Sequence, residues 1–402
     1  MLAISMPVLL AFAGLAVDLG FYYRESMRLQ LAADAAAMGA AHLLSVKSAT
    51  IADFKAAGLL EARAVTSNRL LGTLQTPIGV TVAADWSQVT VTLSSVADTY
   101  LSRFAGVGAP TLIATATAGV QQPSTCVLAL SPSASPGIQV DNMGGIVATG
   151  CGIFADSTAG QAMYLNSGTI SGASVGAVGG VATSNSGSNT LSPSPGTSYA
   201  PTQSDPFASL KAPTAGACSY TNGDFSPYKS TPYQFTQSKN VFCGNTVIGG
   251  NGSTDTFDAG TYFVVNGNLT FNNATVTQAQ GVTFVLTGTS PGIFSWTNYS
   301  NTTTTMTAPT SGATAGILVW QTCPTSGSAG QSTFAGGSTL QISGSIYMPC
   351  GEVDMSNNAK VVPVSGSSSG LVASKIWMTG SARFTASSGT SASAAAQVTL
   401  LQ

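Results

Sequence analysis

Charge is what this sequence has least of. Its 402 residues include 13 Lys or Arg and 15 Asp or Glu, so 7% are charged, against about 25% in an average globular protein. The net charge is −2, and no basic cluster occurs anywhere in the chain. Because contacts between cationic side chains and phosphates supply most nucleic-acid affinity, nucleic acid is excluded as a partner.

Catalytic residue types are also scarce. The chain has one histidine, His42, so it offers too few residues to build the active site of a histidine-based hydrolase. Beyond residue 122 the acids that lie close in sequence form two pairs, Asp255 with Asp258 and Glu352 with Asp354. Such acids cap turns more often than they bind cations, and a carbohydrate-active enzyme would need two acids in one cleft. We therefore predict no enzyme activity, no cofactor and no metal site.

Cysteine is missing from the first 125 residues, and six cysteines follow, at Cys126, Cys151, Cys218, Cys243, Cys323 and Cys350. None belongs to a CxxC or Cys/His cluster that would hold zinc. Taken in order they form couples 25, 25 and 27 residues apart, and an even count in such a chain favours disulfides in an oxidising compartment. Six cysteines allow 15 pairings; we favour pairing between neighbours, with buried free thiols as the alternative.

The longest hydrophobic run opens the chain. Residues 1–17 are all apolar or small, which covers about 25 Å as a helix, and residues 19–23 extend the run toward the thickness of a bilayer core. A cleaved signal peptide is the competing interpretation, but a signal peptide begins with basic residues and this run does not. We predict a single membrane helix, with Asp18 either pairing with a neighbouring subunit or solvated at the membrane surface.

The same helix is expected to continue into water through an alanine-rich segment, giving a first region over residues 1–45. Ala32, Ala35, Ala36 and Gly39 recur at helical spacing and permit close helix contact. This face suits packing among subunits or against the downstream part of the chain.

Residues 46–122 are predicted to form a small α+β unit. Ser48 or Thr50 can cap a helix with Asp53 in its first turn, and residues 79–84 and 88–93 alternate as the strands of a hairpin. Ala114, Ala116 and Ala118 alternate with threonines as in a further half-buried strand.

Short strands separated by Gly, Asn or Ser fill the remainder, in parts spanning residues 123–188 and 208–402 around a Pro/Ser-rich linker or surface loop at 189–207. We predict a mainly-β domain, a β-helix or solenoid-like stack, with a β-sandwich as the alternative. Trp296, Tyr299 and Trp320 could form a sugar-stacking surface or belong to the core.

The segment PVLLAFAGLAVDLGFYYRESMRLQLAADAAAMGAA resembles the N-terminal region of TadE/TadG-like Flp (tight adherence) pilus-assembly proteins. The stretch from Cys126 to Ser157, and later GVTFVLTG, APTSGATAGILVWQ and GSIYMPCG, look like further parts of TadG-type proteins. The chain lacks the basic start and GxxxxE segment common in the family, so processing by a prepilin peptidase is not predicted. It also lacks the DxSxS motif of a von Willebrand A domain.

This resemblance implies a minor pilin-like structural or assembly subunit in the bacterial inner membrane, with its C-terminal part periplasmic or extracellular. The implied partners are other minor pilins, the inner-membrane assembly platform and membrane lipid. A surface adhesin that binds a glycan or host protein through its β domain is the alternative function.

Overall fold

The computed structural model describes residues 2–45, 50–66, 73–83, 88–98, 108–121, 124–185, 187–225, 233–250, 254–299, 301–389 and 397–401. Side chains of residues 1–13, 45, 120–121 and 397–401 are outside this description. The chain divides into two compact units, one made of residues 1–122 with 396–402 and the other of residues 123–395.

The N-terminal unit packs two helices against an antiparallel sheet. Its elements are α1 (Leu2–Ala41), a 3-10 turn (His42–Ser45), α2 (Ile51–Thr66), β1 (Thr73–Leu74), β2 (Gly79–Val82), β3 (Gln88–Val96), β4 (Thr111–Gln121) and β30 (Gln397–Leu401). Strands β2 and β3 form the predicted hairpin, and Ala114, Ala116 and Ala118 point into the core as expected. β30, from the far end of the chain, pairs with β4.

Local chemistry starts α2 where the sequence predicts. The Thr50 amide donates to the Asp53 carboxylate at 2.7 Å, and the Asp53 amide donates to the Thr50 hydroxyl at 3.3 Å. These reciprocal bonds satisfy amides that a helix start leaves without partners, and they lower the pKa of Asp53. Phe54, Gly58 and Ala62 are buried on one face, whereas Ile51, in the first turn, is exposed.

The second unit is a β-solenoid of about 11 turns, which confirms the predicted fold. Its strands are β5 (Thr125–Ala129), β6 (Ile138–Asp141), β7 (Gly145–Ala155), β8 (Met163–Asn166), β9 (Thr169–Ala177), β10 (Val181–Thr183), β11 (Thr190–Ser192), β12 (Tyr220–Thr221), β13 (Asp224–Phe225), β14 (Gln234–Phe235), β15 (Val241–Cys243), β16 (Thr246–Gly249), β17 (Thr254–Phe257), β18 (Gly260–Val265), β19 (Leu269–Asn272), β20 (Thr275–Ala279), β21 (Val282–Thr287), β22 (Phe294–Thr297), β23 (Thr303–Thr307), β24 (Ile317–Gln321), β25 (Gln331–Ala335), β26 (Thr339–Ser356), β27 (Lys360–Pro363), β28 (Ser368–Met378) and β29 (Arg383–Ser388).

Three stacks of parallel strands form the walls of the solenoid. The first wall begins β12-β15-β18-β21-β24 and the second begins β13-β16-β19-β22-β25. The third contains β14-β17-β20 and β23-β26-β27-β29. The long strands β26, β28, β7 and β9 each contribute to more than one wall, because register shifts bend them around a corner.

The turns do not stack in chain order. β28, near the end of the unit, pairs in parallel with β5 and β6 at its beginning, and β29 pairs with β7. The chain therefore enters and leaves the solenoid at adjacent turns in its middle. A solenoid wound in chain order would separate its ends by about 50 Å at about 11 turns. Adjacent ends allow this unit to be inserted between the paired strands β4 and β30.

Aromatic side chains fill the interior. Phe235 stacks on Phe257 with ring centroids 4.5 Å apart, and Phe271 contacts Phe257, Phe284 and Trp296 at 5.3–6.1 Å. The dense aromatic contacts contribute beyond the area that they bury.

Asparagines connect successive turns at one corner. Asn222 accepts a hydrogen bond from the Asn245 amide at 3.2 Å, and Asn245 accepts one from the Asn268 amide at 3.0 Å. Asn268 in turn accepts from the Ile293 amide at 3.0 Å. Side-chain acceptors thus satisfy backbone donors where the strands turn.

A strap, residues 193–217, runs along the outside of the first wall. Near its beginning, the backbone of Thr197 bridges to that of Gly176. Further along, the ring of Phe207 packs on the ring of Tyr347, with ring centroids 5.0 Å apart. It ends at Cys218, which is bonded to Cys243. The segment predicted as a linker or surface loop, 189–207, thus includes β11 and the first part of this strap. The strap covers an outward-facing apolar stripe that includes Val241, Phe263, Val285, Trp320, Tyr347, Val372, Leu128 and Phe154.

Candidate functional site

The predicted small-residue face of α1 packs inside the N-terminal unit. Ala32 and Ala36 are fully buried in the core that α1 forms with α2, β3 and β4, and Ala35 is half-buried. A side chain at Gly39 would place its Cβ 2.4 Å from the Cγ of Glu61 on α2. These residues permit close approach within the same chain, the second alternative given above. Contact with other subunits through this face stays a prediction.

Asp18 is 1% exposed, so the expectation of a solvated carboxylate is wrong. Its side chain has an interaction inside the chain. Sequence reasoning missed this because the helix position alone does not show which later segments cover it.

Large apolar side chains on another face of α1 remain exposed. Leu15, Leu19, Tyr23, Met27 and Leu31 follow one another at four-residue intervals and are 54–70% exposed. This α1 stripe spans about 24 Å along the helix axis. Contiguous exposed apolar surface marks contact with a partner or a membrane more often than chance. The four-residue spacing of these large side chains is visible in the sequence, although the prediction for this helix rested on its small residues.

All six cysteines form disulfides, in the neighbour pairing that we favoured. Cys126 bonds Cys151, Cys218 bonds Cys243 and Cys323 bonds Cys350. Each bond connects adjacent turns of the solenoid, which explains separations of 25–27 residues. By strand register the turns themselves range from 22 residues, as between Val241 and Phe263, to 35 residues, as between Phe284 and Val319.

Two of the three predicted sugar-stacking aromatics belong to the core. Trp296 is 2% exposed in the solenoid interior, and Trp320 is 3% exposed against Tyr347 under the strap. Tyr299 is exposed at 57%. The three side chains do not form one surface, so the sugar-stacking alternative is wrong, and the core role holds for both tryptophans.

The paired acids serve separate purposes. Asp258 accepts a hydrogen bond from Gln234 at 3.0 Å, and Glu352 forms an ion pair with Lys375 at 3.3 Å. Asp255 is buried, and burial raises its pKa. Within the part of the chain that the structure describes, no three His, Cys, Asp or Glu residues are placed to hold a metal ion.

Asp156 connects the strap to the solenoid. Its Oδ1 accepts a hydrogen bond from the Gln203 amide at 2.8 Å. Burial raises the pKa of Asp156 to about 6, the Gln203 amide partly opposes this increase, and Asp205 adds to it. The ionised carboxylate is therefore less stable here than in the unfolded chain.

We expect solenoid stability to fall as pH rises from about 4 to about 6, because the folded-state pKa of Asp156 exceeds its unfolded value. The penalty is absent below the unfolded pKa, complete above the folded pKa, and at most about 3 kcal/mol. The D156N variant should remove this part of the slope in denaturant midpoints measured across the pH range. D258N, on the same unit, should keep the wild-type slope; equal slopes for D156N and wild type would contradict the assignment.

The membrane span predicted over residues 1–23 falls partly on side chains outside the described residues. Among the residues that the structure does describe, no helix is both long enough and apolar enough to cross a membrane.

Comparison with known proteins supports one relationship. A family model for TadE/G-like Flp pilus-assembly proteins matches residues 1–42, which cover most of α1 and the α1 stripe. No curated protein and no solved structure matches the chain. The N-terminal segment is thus similar to TadE/G-like Flp pilus-assembly proteins, and this similarity supports a role associated with the Flp pilus.

Proposed function

We propose that the chain is a minor pilin-like structural subunit of the Flp pilus, held in the inner membrane by residues 1–23 and contacting other minor pilins and the assembly platform through α1. The exposed α1 stripe carries this proposal. It lies within the residues that match the family, and the chain's own sheet and second helix leave it uncovered.

Burial of this stripe against another helix supplies the energy for assembly. A fully buried Leu or Met side chain contributes about 1.5–3 kcal/mol relative to an exposed one. Met27 and Leu31 are 55% and 60% exposed, so each has much left to bury. A partner helix with apolar residues at matching spacing would cover both.

The disulfides support delivery to an oxidising space. Three bonds within one unit form and persist in a periplasm or outside the cell, where thiols are not kept reduced.

The double variant M27E/L31E should reduce the number of pili per cell at least about tenfold, because charges on the stripe cost well over 1.4 kcal/mol of assembly free energy. Pili are counted by electron microscopy, and the amount of the variant protein is checked by immunoblot. A matched control is L60E, since Leu60 is 69% exposed on α2, away from the stripe.

Normal piliation in M27E/L31E cells that contain normal amounts of the protein would overturn the subunit role. A photo-crosslinking residue at position 31, compared with one at the buried position 36, identifies the partner. Extraction of membranes with alkaline carbonate tests the anchor: the proposal requires the full-length chain to stay in the membrane fraction.

A further inference from the structure

The outer surface of the second wall contains a row of side chains that the pilus role does not use. Register places Asp354 beside Trp377, Trp377 beside Gln139, and Gln139 beside Tyr164. The four residues come from four adjacent turns, on both sides of the junction where β28 meets β6. At strand spacing the row is about 14 Å long.

Trp377 is the centre of this row. It is 37% exposed, while its chain neighbours Ile376 and Met378 point into the core. Single exposed aromatics are common on protein surfaces and need no function. Trp377 differs because its orientation is fixed and because a second aromatic, Tyr164, follows two turns away in the same row, at about 10 Å.

A buried acid fixes the geometry. Asp141, 8% exposed, accepts hydrogen bonds from the indole Nε1 of Trp377 at 3.0 Å and from the amide of Gln139. One carboxylate thereby orders two neighbouring side chains before any ligand arrives. Preorganised groups lose little conformational entropy on binding.

One hydrogen-bond acceptor beside Trp377 has no donor. Oδ1 of Asp354 is buried and has no hydrogen bond partner among the described residues. Burial and the nearby Glu352 raise the pKa of Asp354. Asp354 as a residue is only half-buried, so a ligand hydroxyl could approach the rest of its carboxylate, and Gln139 offers an amide on the other side of Trp377.

The chemistry selects one class of ligand. Asp141 accepts from the indole of Trp377, Asp354 lies beside Trp377 on the neighbouring strand, and Glu352 is paired with Lys375, so acidic groups outnumber basic ones here and disfavour a polyanion. The strands of the row are paired on both sides, so a peptide has no free edge to extend. The aromatic face of Trp377 lies between the carboxylate of Asp354 and the side-chain amide of Gln139. This arrangement suits a molecule with one apolar face and many hydroxyls.

We propose that this row, Asp354, Trp377, Gln139 and Tyr164, binds an uncharged polysaccharide whose sugar rings stack on Trp377 and Tyr164. Gln139 bonds hydroxyls between the two stacked rings, Asp354 bonds hydroxyls on the other side of Trp377, and Asp141 acts as a positioning residue. The site adds attachment to the structural role and does not depend on it.

Affinity electrophoresis of the full-length chain in detergent tests the proposal, with hydroxyethylcellulose, galactomannan or dextran in the gel and polygalacturonate as the anionic comparison. The wild-type chain should be retarded by at least one neutral polymer and not by polygalacturonate. W377A should weaken that retardation about tenfold, the loss expected from one stacking contact of about 1.4 kcal/mol, and W377F should retain part of it. The control Y299A, at an exposed aromatic outside the row, should bind like wild type.

A second readout keeps the test independent of folding. The fluorescence difference between wild type and W377F isolates Trp377, and the neutral polymer that retards the chain should protect this emission from acrylamide. Equal retardation of W377A and wild type, retardation by polygalacturonate alone, or no retardation by any neutral polymer would each overturn the proposal. The pilus variant M27E/L31E should still bind the polymer, so failure of one role is distinguishable from failure of the other.

Discussion

The F271A variant should lose about 3–5 kcal/mol of solenoid stability, the range for truncating a buried Phe to Ala. Phe271 is 0% exposed, and its ring contacts Phe257, Phe284, Phe294 and Trp296. The backbone ladders on both sides hold the neighbouring turns apart, so the cavity collapses little and most of the cost remains. Guanidinium unfolding followed by tryptophan fluorescence measures the loss.

The Y299A variant is the matched control for this measurement. Tyr299 lies two residues beyond β22, in a neighbouring turn, and is 57% exposed, so the expected change is within about 0.5 kcal/mol. If F271A and Y299A unfold at the same denaturant concentration, the aromatic interior does not hold the solenoid together.

Removal of the Cys218–Cys243 disulfide, in C218S/C243S, should open the terminal turn of the solenoid. The bond closes a loop of 25 residues, for which the loop-entropy relation gives about 3.5 kcal/mol. β12 and β13 are two residues long and pair on one side only, with β15 and β16. The side-chain contacts that remain are mainly those of Tyr220 and Phe225, so the amides of this turn should exchange much faster by hydrogen–deuterium exchange mass spectrometry.

The position at which amide exchange increases distinguishes the Cys218–Cys243 bond from the Cys323–Cys350 bond. In C323S/C350S the affected turns are paired on both sides, so stability should fall across the unit without a local opening. Unchanged exchange over residues 218–225 in C218S/C243S would show that the aromatic contacts of Tyr220 and Phe225 suffice for the terminal turn.

Local elements were predictable because short-range chemistry determines them. The cap formed by Thr50 and Asp53 starts α2, and alternation of apolar and polar residues defines β2, β3 and β4. The even cysteine count and the intervals of 25 and 27 residues favoured pairing between neighbours, and the stacked turns show why: each bond connects adjacent turns.

The candidate sites were less predictable because strand alternation separates two faces but does not show which face meets water. Trp320 points outward from its wall and is nevertheless buried, because the strap lies over it. Trp377 points outward from a different wall, which nothing of this kind covers, and it remains exposed. The same pattern of residues therefore gives a covered core position in one wall and a surface position in another.

The sequence by itself indicated the helices, many of the strands, the favoured disulfide pairing and the resemblance of the N-terminal segment. Only the tertiary structure decided the order of the turns, the path of the strap and the return of β30 to β4. Parallel pairing of β28 with β5 joins residues more than 240 positions apart, and any strand of similar length and apolar pattern could have stacked there. No local stretch of residues shows which strand stacks on β5, because the pairing joins turns that lie far apart in the chain.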